Sequence, residues 1–168
     1  MIRKPTTYRE DIIKADKFFK KYFDKHSSVV VSEKKYKKLP RQCVDHQAVI
    51  VCLFDSPSLS ENIQLIQDEY YNRGKAALRM FDDYRYKNKA VAEHNFKSFE
   101  PTYPRMVIFL DTPLDPDTMS KEIDVLKSVL RFGRPFGMNI VFPIDIYKKS
   151  SWLRELDDPN IILHAKVG

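Results

Sequence analysis

Apolar residues recur along this chain in two rhythms. Over 47–54, 105–110, 138–142 and 161–167 they run almost without interruption, and Val29-Val30-Val31 is a shorter run of the same kind. Elsewhere they return every three or four positions. Unbroken runs of this length predict strands covered on both faces, as in a mostly parallel sheet. The second rhythm predicts amphipathic helices.

Thr7-Tyr-Arg-Glu10 has the spacing of a capping box, which satisfies free amides at a helix start. Tyr8, Ile12, Ala15, Phe19, Tyr22 and Phe23 follow on one stripe, so a helix is predicted over 8–25. Leu59, Ile63, Ile66, Tyr70, Ala77, Phe81 and Tyr84 predict a long helix over 59–86, with Gly74 weakening its middle, and a short helix follows over 88–98. Ile123, Leu126, Val129 and Leu130 mark a helix over 118–131, and a last short one falls at 151–156. Turns are predicted at Asp55-Ser-Pro-Ser and at Asp157-Asp-Pro-Asn160. Lys34-Lys-Tyr-Lys-Lys38-Leu-Pro40 reads as a basic loop. Strands alternating with helices predict one three-layer α/β domain over 1–168, its mostly parallel sheet flanked by helices. Residues 1–40 form a basic helix and loop packed on it or appended to it.

Composition narrows the class. A chain of 168 residues with 43% hydrophobic content can bury a core of its own. No apolar run approaches the roughly 20 residues of a membrane span, and no secretory signal is read at the N-terminus. Two cysteines, Cys43 and Cys52, fit a reducing, cytoplasmic setting, with Cys52 a buried free thiol. Charge is uneven: residues 1–40 carry 12 Lys/Arg against 5 Asp/Glu, a net +7 within a whole-chain net of +6. A basic quarter on a neutral body suggests a contact surface for nucleic acid, anionic lipid or an acidic protein face.

Candidate nucleic-acid contacts follow from bases interleaved with aromatics, which suits phosphate contact plus stacking. They are Lys34, Lys35, Tyr36, Lys37 and Lys38, then Arg85, Lys87 and Lys89 beside Tyr84 and Tyr86. Arg131 and Arg134, with Lys148 and Lys149, join them if the loops at one sheet edge meet. Asp111, Asp115 and Asp117 are weak metal candidates, since turn and cap chemistry explains such spacing. Asp82-Asp83 reads as a solvated face, Trp152 as core, and His26, His46, His94 and His164 are scattered. No serine or cysteine nucleophile motif is present.

Several segments, in order, resemble the FtsK/SpoIIIE-like motor domain, a RecA-type P-loop fold. Val51-Cys-Leu-Phe-Asp55-Ser-Pro is similar to the strand and turn before that family's long helix, and Glu69-Tyr-Tyr-Asn-Arg73 to its acidic, Arg-containing helix. Tyr84 through Asn95 is similar to the segment after it. Tyr103-Pro-Arg-Met-Val-Ile-Phe-Leu-Asp111 looks like the Walker B strand. Gly133-Arg-Pro-Phe-Gly137-Met-Asn looks like the family's Gly-Arg-Ala-Ala-Gly-Ile-His turn, and Asp158-Pro-Asn-Ile-Ile-Leu-His-Ala-Lys166 like its last strand. The resemblance implies a RecA-like sheet.

The departures imply lost catalysis. A phosphate loop needs glycine amides around the phosphates and a Lys that reaches them. Where it is expected, before the helix at 8–25, stands Lys4-Pro-Thr-Thr-Tyr-Arg-Glu-Asp11, and no strand is read ahead of it. Asp111 matches the magnesium ligand, but Thr112 replaces the water-activating Glu, and Ile144-Asp145 replaces a Thr-Gln sensor. The expectation is a pseudo-ATPase with no cofactor: a non-catalytic domain that docks a larger motor ATPase, a secreted protein substrate or DNA, alone or as an oligomer. Two alternatives stand beside it. One is a small basic DNA- or RNA-binding protein of a virus, plasmid or mobile element. The other is a divalent-metal enzyme using the acidic loop 111–117.

Overall fold

The computed structural model describes residues 17–23, 26–87, 104–156 and 162–164, with the backbone alone over 76–87 and 162–164. The expected helix over 8–25 is seen at 17–23, here α1. Its other residues lie outside the described set, as do the expected helix over 88–98 and the turn at 157–160. Next come β1 (Ser28–Val31), α2 (Glu33–Asp45), β2 (Val49–Leu53) and α3 (Leu59–Lys87). They are followed by β3 (Met106–Leu110), α4 (Ser120–Phe132), a 3-10 turn (Arg134–Phe136) and β4 (Met138–Pro143). Two short helices, α5 (Ile144–Lys149) and α6 (Ser151–Arg154), lead to β5 (Ile162–His164). The helix α5 has no counterpart in the sequence reading.

The five strands stand in the order β2-β3-β4-β1-β5, and every neighbouring pair is parallel. Side chains alternate across the sheet, so each strand feeds two cores. Val29, Val31, Val107, Phe109 and Val141 meet Phe19, Tyr22 and Phe23 of α1 and Leu39 and Cys43 of α2. Val30, Ile108, Leu110, Ile140 and Phe142 meet α3, α4 and Trp152 of α6. The result is a three-layer, RecA-like α/β arrangement, with α1 and α2 on one face and α3, α4 and α6 on the other. Val107, Ile108, Ile140 and Val141 are fully buried, as their unbroken apolar context predicts.

Three local readings are corrected. The lysine-rich segment is not a loop: Lys34–Lys38 lies in the first turns of α2. Ser32 caps that helix, its Oγ accepting from the Lys35 N–H at 3.2 Å. Tyr36, Leu39 and Cys43 supply the inward stripe, and Pro40 is held inside the helix. β1 is not part of an appendage either, because it lies between β4 and β5 with all four residues buried. Third, β2 is an edge strand, and only Leu53 in it is fully buried. Cys52 is accordingly half-buried, while Cys43 is enclosed and burial pushes its thiol up to about 12.

Candidate functional site

β1 and β4 are neighbours whose onward connections diverge. From β1 the chain crosses through α2 to β2 at one edge; from β4 it passes to β5 on the other side of β1. In open α/β sheets such a switch point opens a crevice at the carboxyl ends of the strands, where ligands bind. The register levels those ends. Val31 pairs with Pro143, and Phe109 with Val141, so Val31, Pro143 and Asp111 stand level, with Ser32, Ile144 and Thr112 one residue beyond them.

The chemistry at this crevice is acidic. One residue, Ser32, separates β1 from α2, and its side chain is spent on its own helix. Glu33 follows in the first turn and comes up against Asp145, the second residue of α5. That contact, with the repulsion of Asp145 and Asp111 and only partly offset by Lys37, holds the Glu33 carboxyl above its usual range. A raised folded value means ionisation is opposed in the native state, so the penalty is present above it and relieved as pH falls through it. Glu33→Gln is therefore expected to raise the urea midpoint slightly at neutral pH, with the gain vanishing in acid. An equal gain at both pH values would show that the repulsion is not its source.

Lys4–Asp11, where the resemblance would place a phosphate loop, lies outside the described residues. The strand-to-helix turn across β4 from Asp111 is Val31-Ser32-Glu33, which has no glycine and no Lys-Ser/Thr pair. The acidic loop holds itself by turn chemistry: Asp115 Oδ1 accepts from the Asp117 N–H at 3.0 Å, and its carbonyl accepts from Thr118 and Met119. Among the described residues no group of three His, Cys, Asp or Glu side chains could hold a metal ion.

The strongest charge feature lies elsewhere, on the outer face of α1 and α2. Lys17, Lys20 and Lys21 on α1 and Lys34, Lys37, Lys38 and Arg41 on α2 are all exposed. Between the helices, Lys21 and Lys35 each place their ammonium 5.5 Å from the centre of the Tyr22 ring. The described ion pairs, Arg73–Glu69 and Lys127–Glu155, belong to the opposite layer. Among the described residues no carboxylate reaches salt-bridge distance of these cations, and the acids of α2, Glu33 and Asp45, stand at its two ends. The α1 lysines were missing from the sequence-based set, although helical spacing puts them opposite Phe19, Tyr22 and Phe23.

The other candidates do not join this face. Tyr36 turns inward, its ring 5.6 Å from that of Phe109, and burial raises its hydroxyl far above the usual range. Arg131 lies in the last turn of α4, in the opposite layer, and Arg134 opens the 3-10 turn after it. Arg85 and Lys87 lie on the last turn of α3, where only the backbone is described, and Lys89 lies outside the described residues. Lys148 and Lys149 end α5, close to the acidic crevice. No protein family, curated protein or solved structure matches the chain. Among the described residues no helix is long and apolar enough to cross a membrane.

Proposed function

We propose that this protein is a non-catalytic nucleic-acid-binding domain on a motor-type α/β scaffold, working through the outer face of α1 and α2. The observation that carries the reading is the cluster of exposed cations from two packed helices, with no carboxylate among the described residues at salt-bridge distance of them. Self-repulsion of this kind is relieved when a polyanion covers it, and each neutralised phosphate releases condensed counterions. The switch-point crevice supports the non-catalytic half. A triphosphate entering it would meet Glu33, Asp111 and Asp145 in place of glycine amides and a Lys, and Thr112 in place of a catalytic carboxylate.

Fluorescence anisotropy with labelled DNA and RNA across a salt series tests the binding. Affinity is expected to fall steeply with salt, by about 0.9 logarithmic units per logarithmic unit of salt for each phosphate neutralised on a duplex. A chain that ignores nucleic acid at low salt would end this reading. The same protein is expected to show no nucleotide turnover in a phosphate-release assay. Turnover that disappears in Asp111→Ala would overturn the non-catalytic half.

A further inference from the structure

Resting on that reading, we propose that the α1–α2 face grips the two phosphate backbones of a nucleic-acid duplex and reads no bases. The first argument is what the face lacks. Proteins that hold single strands offer aromatic rings on which bases stack. On this face the rings are committed. Tyr22 is buried beneath Lys21 and Lys35, Tyr36 packs on Phe109, and Phe18 stacks on His46 with ring centres 4.3 Å apart. Among the described residues what remains outward along the two helices is mainly cationic, with Glu33, Val44 and Asp45 exposed at the ends of α2.

The second argument is spacing. Phe18 lies against His46 beyond the end of α2, while Tyr22 lies under Lys35 near its start. The two helices therefore run in opposite senses, side by side. Packed helix axes lie about 8–10 Å apart, so the lysines of α1 and the cations of α2 form two rows at about that separation. Along α2, Lys34 and Arg41 are two turns apart, about 10 Å. The grooves of B-DNA are roughly 6 and 12 Å wide, so flexible Lys side chains in two such rows can reach the phosphates on both sides of a groove. A single strand presents one row of phosphates and engages one row of cations. Lys ammonium groups act as point charges on phosphate and carry little base discrimination.

The test compares a duplex, each of its single strands and a second duplex of unrelated sequence by anisotropy, in DNA and RNA forms, with phosphatidylserine vesicles as a separate arm. Wild type is expected to bind both duplexes equally and about tenfold or more tighter than either strand. Lys17→Ala/Lys21→Ala removes most of one row, and Lys34→Ala/Lys38→Ala/Arg41→Ala most of the other. Each set is expected to abolish the duplex preference, to lower the salt slope by about 0.9 for every phosphate no longer neutralised, and to leave the circular dichroism spectrum unchanged. Single strands bound as tightly as duplex, or one duplex strongly preferred over the other, would overturn this inference while leaving nucleic-acid binding intact. No binding to any nucleic acid, with or without binding to vesicles, would overturn both.

Discussion

Arg73→Met is expected to cost about 3 kcal/mol of stability, and Arg73→Lys to recover little of it. The Arg73 side chain is 3% exposed on α3, yet it carries a charge, so its partners decide its worth. Its Nε donates to Glu69 Oε1 at 2.7 Å, one turn back on the same helix. Nη1 donates to the Phe136 carbonyl and Nη2 to the Pro104 carbonyl, both at 2.8 Å. One planar group thus ties α3 to the 3-10 turn ahead of β4 and to the entrance of β3. Methionine fills a similar volume but leaves two carbonyls and a carboxylate without their donor. Glu69 is about one-third exposed, so water takes over part of its loss and keeps the cost below the upper range for broken buried pairs. Lysine restores the charge as a single point and cannot reach three acceptors set around a fork. Urea unfolding followed by circular dichroism measures the difference. A Met variant with the wild-type midpoint would show that the clamp adds nothing.

Arg73 also shows how far the sequence could be read. Its helix was plain from apolar spacing, and Gly74 beside it does not break α3, which continues to Lys87. Its partners were not readable, because two are backbone carbonyls brought in by other crossings of the sheet. The strands divide in the same way. β3 and β4 are buried throughout; the run of β3 is unbroken, and that of β4 is interrupted only by Asn139. β2 carries an equally apolar run yet lies at the edge, since apolar content does not state how many neighbours a strand has. β1 was underrated because three valines are a short signal.

The lysine segment failed for another reason. Four lysines and a following proline suggested a loop, but Lys is a good helix former, and Tyr36, Leu39 and Cys43 already showed helical spacing. Taken as a helix, the segment presents its cations on one side, and α1 adds its own beside them. The candidate nucleic-acid face was therefore half legible: its residues were in the sequence, but the pairing of two helices on one layer was not. The meeting of Glu33 with Asp145 was not legible at all, since it depends on the parallel register of β1 with β4.

Gly133→Ala is expected to destabilise the protein by about 1–3 kcal/mol, the range for overpacking a filled site. Its backbone is ordinary, φ −75° and ψ −26°, so the cost does not come from a forbidden conformation. It comes from space. A Cβ there would lie 2.5 Å from the Val129 carbonyl oxygen and 2.9 Å from both the Met138 carbonyl oxygen and Val129 Cγ1. Two of these atoms are backbone, held by α4 and β4, and cannot swing aside as a side-chain tip would. Retreat would also strain local bonds. The Gly133 N–H donates to Val129 O at 2.7 Å, and the Gly133 carbonyl accepts from Phe136 and Met138, each at 3.0 Å. The turn joining α4 to β4 depends on this close approach. Gly74→Ala is the control: a Cβ there meets only the Phe136 ring at 3.8 Å, an ordinary contact, inside a helix that favours Ala over Gly. It is expected to stabilise by about 0.5–1 kcal/mol. Thermal and urea unfolding of both variants should therefore shift in opposite directions. A shift of Gly133→Ala in the same direction as Gly74→Ala would mean that the α4–β4 turn yields to the added methyl group.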